Sequence, residues 1–172
     1  MDGVSNLVFQ EAQEKGRKIA TVFTGFCSYH DKVLFQDIED CDFVATQKQI
    51  FLFTYRTMSW HYHKKQEQAK STQLFIQNMS ARGFELPDTE EAHLWMNGLA
   101  LGLADNSSKK NTFDQALLSN HFDIVRSCIW EIPYEVQFAV SMQFEPTYDI
   151  QGNLIGDYEK DEHLRSIYLG PI

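Results

Sequence analysis

The apolar residues of this chain change their period at Pro133. Before it they recur every three or four residues. After it, YEVQFAVSMQFE alternates Val136, Phe138, Val140 and Met142 with Glu135, Gln137, Ala139 and Ser141. The first spacing is that of a helix with one buried face, the second that of a strand with one buried face. The pattern therefore predicts an α+β fold, with a mainly helical first two-thirds followed by a small antiparallel β-sheet at the C-terminal end. No repeat, low-complexity tract or Pro/Ser-rich linker divides the chain. Its 172 residues are enough for a buried core, so 1–172 reads as a single globular domain.

Within the helical part, Ser5 or Asn6 stands where a cap is needed for a helix through LVFQEAQEKGRKIATVF, and Gly25 ends it. In DKVLFQDIEDCDF, VLF reads as a short strand, while Asp37, Asp40 and Asp42 suit the first turn of the next helix. That helix is expected over about Asp42 to Lys65. Steps of 100° gather Phe43, Val44, Ile50, Phe51, Tyr55, Met58 and Tyr62 into an arc of roughly 140°. QIFLFTYRT is also short enough for a buried strand, and the wider periodicity favours the helix. Ser71 to Met79 forms another helix, stopped by Gly83 and Pro87. Asp88 and Glu91 make a capping-box pattern for a helix whose buried side is Leu94, Trp95, Leu99 and Leu101. TFDQALLSNHF adds a fifth helical piece. The Gly152-Asn153 pair marks a hairpin turn, and HLRSIYLGPI supplies a last strand.

The net charge of −9 is unevenly placed. Residues 1–86 carry ten Lys or Arg and ten Asp or Glu, whereas residues 87–172 carry five and fourteen. Binding to nucleic acid needs cations that displace phosphate counterions, so this balance argues against a nucleic-acid partner. An acidic half instead attracts a basic protein. Cys27, Cys41 and Cys128 form no C-x-x-C or paired framework, which fits a reducing compartment. The first residues lack a basic start followed by an apolar block, so no signal peptide is expected. LWMNGLALGLA (Leu94 to Ala104), the longest nearly uncharged apolar run, is too short to span a bilayer. The chain is accordingly expected to be cytoplasmic, with no membrane partner.

Chemistry-bearing residues are sparse. His61 and His63 in WHYH chelate together only on a strand. On a helix they point about 200° apart, and the helix reading makes them residues of a helix end. Arg56, Lys64, Lys65 and Lys70 interleave with Tyr55, Trp60 and Tyr62, a mixture that suits single-stranded nucleic acid, but four charges over fifteen residues are better read as a solvated helix face. Cys27 precedes His30 by three residues, a spacing that can activate a thiol, although a buried structural cysteine is the better account of it. GLALG has small-residue spacing suited to close helix packing. No metal or cofactor is expected from any of these.

The strongest lead is the acidic end. Glu131, Glu135, Asp149, Asp157, Glu159, Asp161 and Glu162 surround Tyr148 and Tyr158, and tyrosines among carboxylates give an interface both anchors and electrostatic steering. These nine residues are the candidate partner-binding set. The expectation is a small acidic protein-binding protein. The best reading is an inhibitor that covers a basic toxin or nuclease, as a bacterial immunity protein does. One alternative is a non-catalytic assembly subunit or adaptor. A further one is a small enzyme using Cys27 and His30 or a metal at His61 and His63. Nothing in the chain fixes its oligomeric state.

Overall fold

The computed structural model describes residues 25–84, 89–134, 140–155 and 166–169. The described chain is mostly helical, with a two-stranded antiparallel sheet near its C-terminal end, as the change of period predicts. The helix expected through LVFQEAQEKGRKIATVF lies outside the described residues.

Helix α1 (Ser28–Glu39) includes the VLF that was expected as a strand. Phe35 is fully buried, with Leu34 and Ile38 packed beside it. This spacing of one and three closes a helical face, and the polar residues around VLF leave a strand no second buried position. Helix α2 (Gln47–Ala81) runs for 35 residues, about 52 Å at the α-helical rise. It begins five residues later than expected, because Thr46 and Gln49 form the capping box. Asp37 and Asp40 belong to the end of α1 and Asp42 to the connection, so none of these acids caps α2. The Ser71 to Met79 piece is part of the same helix. WHYH is therefore mid-helix, and the helix-end reading of His61 and His63 is overturned.

A left-handed Gly83 (φ 78°) ends α2. Its N–H donates to the Ser80 carbonyl, and the Phe84 N–H reaches back to that of Met79. Helix α3 (Glu90–Leu118) is capped by Thr89, and TFDQALL is its last turns rather than a separate piece. Asn120 (φ 54°) closes it with the same paired bonds, from Asn120 to Leu117 and from His121 to Ala116. The α3 pattern was misjudged. Leu94, Trp95 and Leu101 are exposed, and the residues that α3 buries are Asn106, Phe113 and Ala116.

The two long helices make an antiparallel hairpin, with Phe51 against Phe113, Tyr55 bonded to Asp114, and Lys65 over Gly102. Its core lies at one end only, formed by Phe35, Phe51, Leu52, Tyr55, Met58, Phe113 and Ala116. The rings of Tyr55, Phe113 and Phe122 surround Phe51 at centroid distances of 5.2 to 5.9 Å. Beyond Ser59 on α2 and before Asn106 on α3, no described residue is buried.

Strands β1 (Met142–Phe144) and β2 (Ile167–Leu169) pair Gln143 with Tyr168. The alternation predicts Val140 and Met142 inward, yet both are exposed, and Gln143 and Tyr168 face the helices. A shift of one residue reverses the faces of a strand. Here the polar bonds of Gln143 and the edge-on contact of Tyr168 with Phe113, at 5.8 Å, set that choice. The Gly152-Asn153 turn is present as expected, closed by the Tyr148–Leu154 bridge.

Candidate protein-contact surface

Of the nine residues of the acidic set, Glu135, Asp157, Tyr158, Glu159, Asp161 and Glu162 lie outside the described residues. Glu131 is exposed, and Tyr148 is exposed on the hairpin. Asp149 is occupied by its own turn. One carboxylate oxygen accepts from the N–H groups of Gln151 and Asn153 at 2.9 and 2.8 Å, and the other accepts from the Asn153 amide at 2.8 Å. Those bonds, the Asn153 side chain first, hold its carboxyl below the usual range. Asp149 shapes the hairpin rather than presenting free charge. Glu145 is used in the same way. Burial pushes its carboxyl up, but the Lys109 ammonium, the Ser166 hydroxyl and the Gln143 amide bond it and bring it below the usual value.

The histidines serve different neighbours. His61 Nε2 accepts the Gln143 backbone N–H at 2.8 Å, latching β1 to α2. His63 Nε2 lies 3.3 Å from Glu67 one turn on. Among the described residues no group of three His, Cys, Asp or Glu is placed to hold a metal. Cys27 and His30 do meet, with Sγ 3.2 Å from Nδ1 at the N-terminus of α1. Cys27 is exposed rather than buried, beside a cavity of about 510 Å³ whose walls include Phe26, Val33, Leu34 and Leu52. The basic residues also divide. Arg56 pairs with Glu39 and covers the Phe35 ring, Lys64 bonds Glu67, and Lys65 lies on Gly102.

The surface that the sequence reading missed is the far half of the α2/α3 hairpin. On α3, Leu94 and Leu101 are 64% and 65% exposed, and Trp95 is half exposed. On α2, Leu74 and Phe75 are each about half exposed. The seam between the helices is thin. Tyr62, Lys65, Ala69, Thr72, Ile76 and Met79 follow one another at alternating steps of three and four, the spacing of a helix seam; Lys65 among them reaches Gly102 on α3, and none is fully covered. Gly98 faces open space and Gly102 meets only the tip of Lys65, so GLALG does not bring two described helices together. The available signal was the stretch from Ala92 to Ala104, which has no Lys, Arg, Asp or Glu. Its only polar side chains are His93 and Asn97, and a helix apolar around most of its circumference has to be covered on more than one side. No helix among the described residues is long and apolar enough to cross a membrane.

No family model, no curated protein and no solved structure matches this chain.

Proposed function

We propose that this chain is a protein-binding subunit, an assembly component or adaptor, and that the far half of the α2/α3 hairpin is its contact surface. One observation carries the reading: the uncharged stretch from Ala92 to Ala104 stands on a helix with no buried residue before Asn106, and Leu94, Trp95 and Leu101 on it are exposed. Exposed apolar surface of this kind marks an interaction site in a water-exposed protein. A two-helix arm with no buried residue also gains little from its own packing, since helix stability in water comes mainly from burying an apolar face.

The test is affinity capture from native extract, with the wild-type chain beside a Leu94→Glu, Leu101→Glu variant of unchanged helicity. The expected result is a protein held by the first and lost by the second. Equal capture by both chains overturns the hairpin as the contact surface.

A second reading has support of a different kind. The acid excess falls entirely in residues 87–172, and Glu131 and Tyr148 are exposed there. In that reading the chain inhibits a basic protein such as a toxin or nuclease, through the acids that follow Glu131. Its mark is a partner captured at low salt and shed at high salt, because exposed charges are screened beyond about 8 Å at physiological ionic strength. Lys substitution of Asp157, Glu159 and Asp161 then slows association; unchanged binding sinks the acidic-surface reading.

A further inference from the structure

We infer that the cover of the hairpin's far half is the same region of a second copy of this chain, an inference that rests on the protein-binding reading above. The charges of the two helices choose the occupant. Over residues 64–84, α2 and its cap carry Lys64, Lys65, Lys70 and Arg82 against Glu67 alone. Over residues 90–105, α3 carries Glu90, Glu91 and Asp105 and no Lys or Arg. Lys64 is matched within its own helix by Glu67. Lys70, Arg82, Glu90, Glu91 and Asp105 make no ion pair among the described residues. A partner of one sign gains from one helix and is repelled by the other. A second copy related by a two-fold axis lays its acidic α3 on the basic α2 and its basic α2 on the acidic α3, and both contacts are favourable.

The shape of α3 suits the same occupant. Leu94, Gly98 and Leu101 are spaced four and three apart, so they form one stripe on α3, and two of the three are large and exposed. Between them Gly98 has nothing within 4 Å of where a Cβ would stand, leaving room for a helix to approach closely. Leu74 and Phe75 supply apolar surface on α2. Two such hairpins side by side make a four-helix bundle, in which the exposed stripe of Leu94 and Leu101 is covered by the facing helices.

Sedimentation velocity on the full chain, over a range of concentrations at low salt, reads the assembly directly. The wild type is expected to sediment as a dimer, and Leu94→Glu, Leu101→Glu as a monomer of unchanged circular dichroism. Charge exchange then identifies the pairing. Lys70→Glu, Arg82→Glu and, separately, Glu90→Lys, Glu91→Lys each weaken self-association by about tenfold or more, while an equimolar mixture of the two variants recovers the dimer. A wild type that stays monomeric up to roughly 100 µM overturns the second copy. So does a mixture that associates no better than either variant alone. A monomer that still captures another protein through Leu94 and Leu101 overturns this inference and leaves the protein-binding reading standing. A dimer indifferent to Leu94 and Leu101 places the interface elsewhere and overturns the inference as well.

Discussion

His61 holds a strand through one lone pair. The Gln143 backbone N–H is always a donor, so Nε2 must be unprotonated for the 2.8 Å bond to exist, and the ring proton sits on Nδ1. Burial first and the nearby Lys65 second lower the pKa of His61 from its ordinary 6.5, with Glu145 opposing them. A histidine whose pKa is depressed by folding contributes stability that is fully present above the unfolded value. That contribution is lost as pH falls through the folded one. The thermal midpoint is therefore expected to fall between pH 7 and the pKa of folded His61, and that part of the fall should vanish in His61→Gln. An identical pH profile in both chains rules out the latch. Glu145, also depressed, acts in a separate and more acidic window, as pH falls below its ordinary 4.5. Cys27 offers a second test on a single residue. With an imidazole and a helix N-terminus beside its sulfur, it should alkylate faster than Cys41 and Cys128, which are exposed as well. His30→Ala should remove the difference, as site-resolved mass spectrometry can follow.

Among the elements, the junction of α1 and α2 depends on one buried amide. Gln49 accepts from the N–H groups of Val44 and Thr46, and donates to the carbonyls of Asp37 and Asp42 at 3.0 and 2.9 Å. Its removal strands four backbone groups, so Gln49→Ala is expected to cost about 3 kcal/mol in chemical denaturation. Thr46→Ala, which removes one cap acceptor, should cost about 1 kcal/mol. Equal costs show that Gln49 does no more than cap. The junction also shows what the sequence made legible. Phe51, Tyr55 and Met58 were found by their helical spacing because their neighbours on the other face are polar. Gln49 falls outside the buried arc at 100° steps, and its burial comes from the end of α1 and the connection whose backbone groups it bonds, which spacing within one helix does not report. The face of β1 was missed for a related reason. Alternation names two faces, and only the bonds of Gln143 to His61 and Asn106 select between them. Of the candidate partner surface, the acids were visible as charge but their engagement was not, since the Asp149 turn depends on backbone geometry. The Leu94–Ala104 run is plain in the sequence, but its length excludes a membrane span without telling which sides of the helix need cover.

At the scale of the whole molecule, the chain is stabilised at one end and extended at the other. Phe51→Ala in the ring cluster should cost about 3 to 5 kcal/mol, the range for emptying a packed aromatic site. Leu94→Ala should change the stability of the monomer by no more than about 0.5 kcal/mol, because the side chain already faces water. The same division applies to the opening of backbone bonds, because local opening tracks the apolar burial around each bond. Amides of residues 50–59 and 106–116 are expected to exchange only through global unfolding. Those of residues 66–82 and 93–104 should exchange by local opening in dilute solution. If a second copy covers the far half of the hairpin, mass action makes that protection rise with protein concentration, while the core amides stay unchanged. Hydrogen exchange at two concentrations thus separates two causes of stability in one experiment. Protection in the far half that is strong and independent of concentration means that the chain itself supplies the cover, and the unsupported arm is then the wrong description. Protection that grows with concentration only in the far half ties the exposed Leu94 and Leu101 to association, because both side chains stand on a stretch of helix with no buried residue of its own.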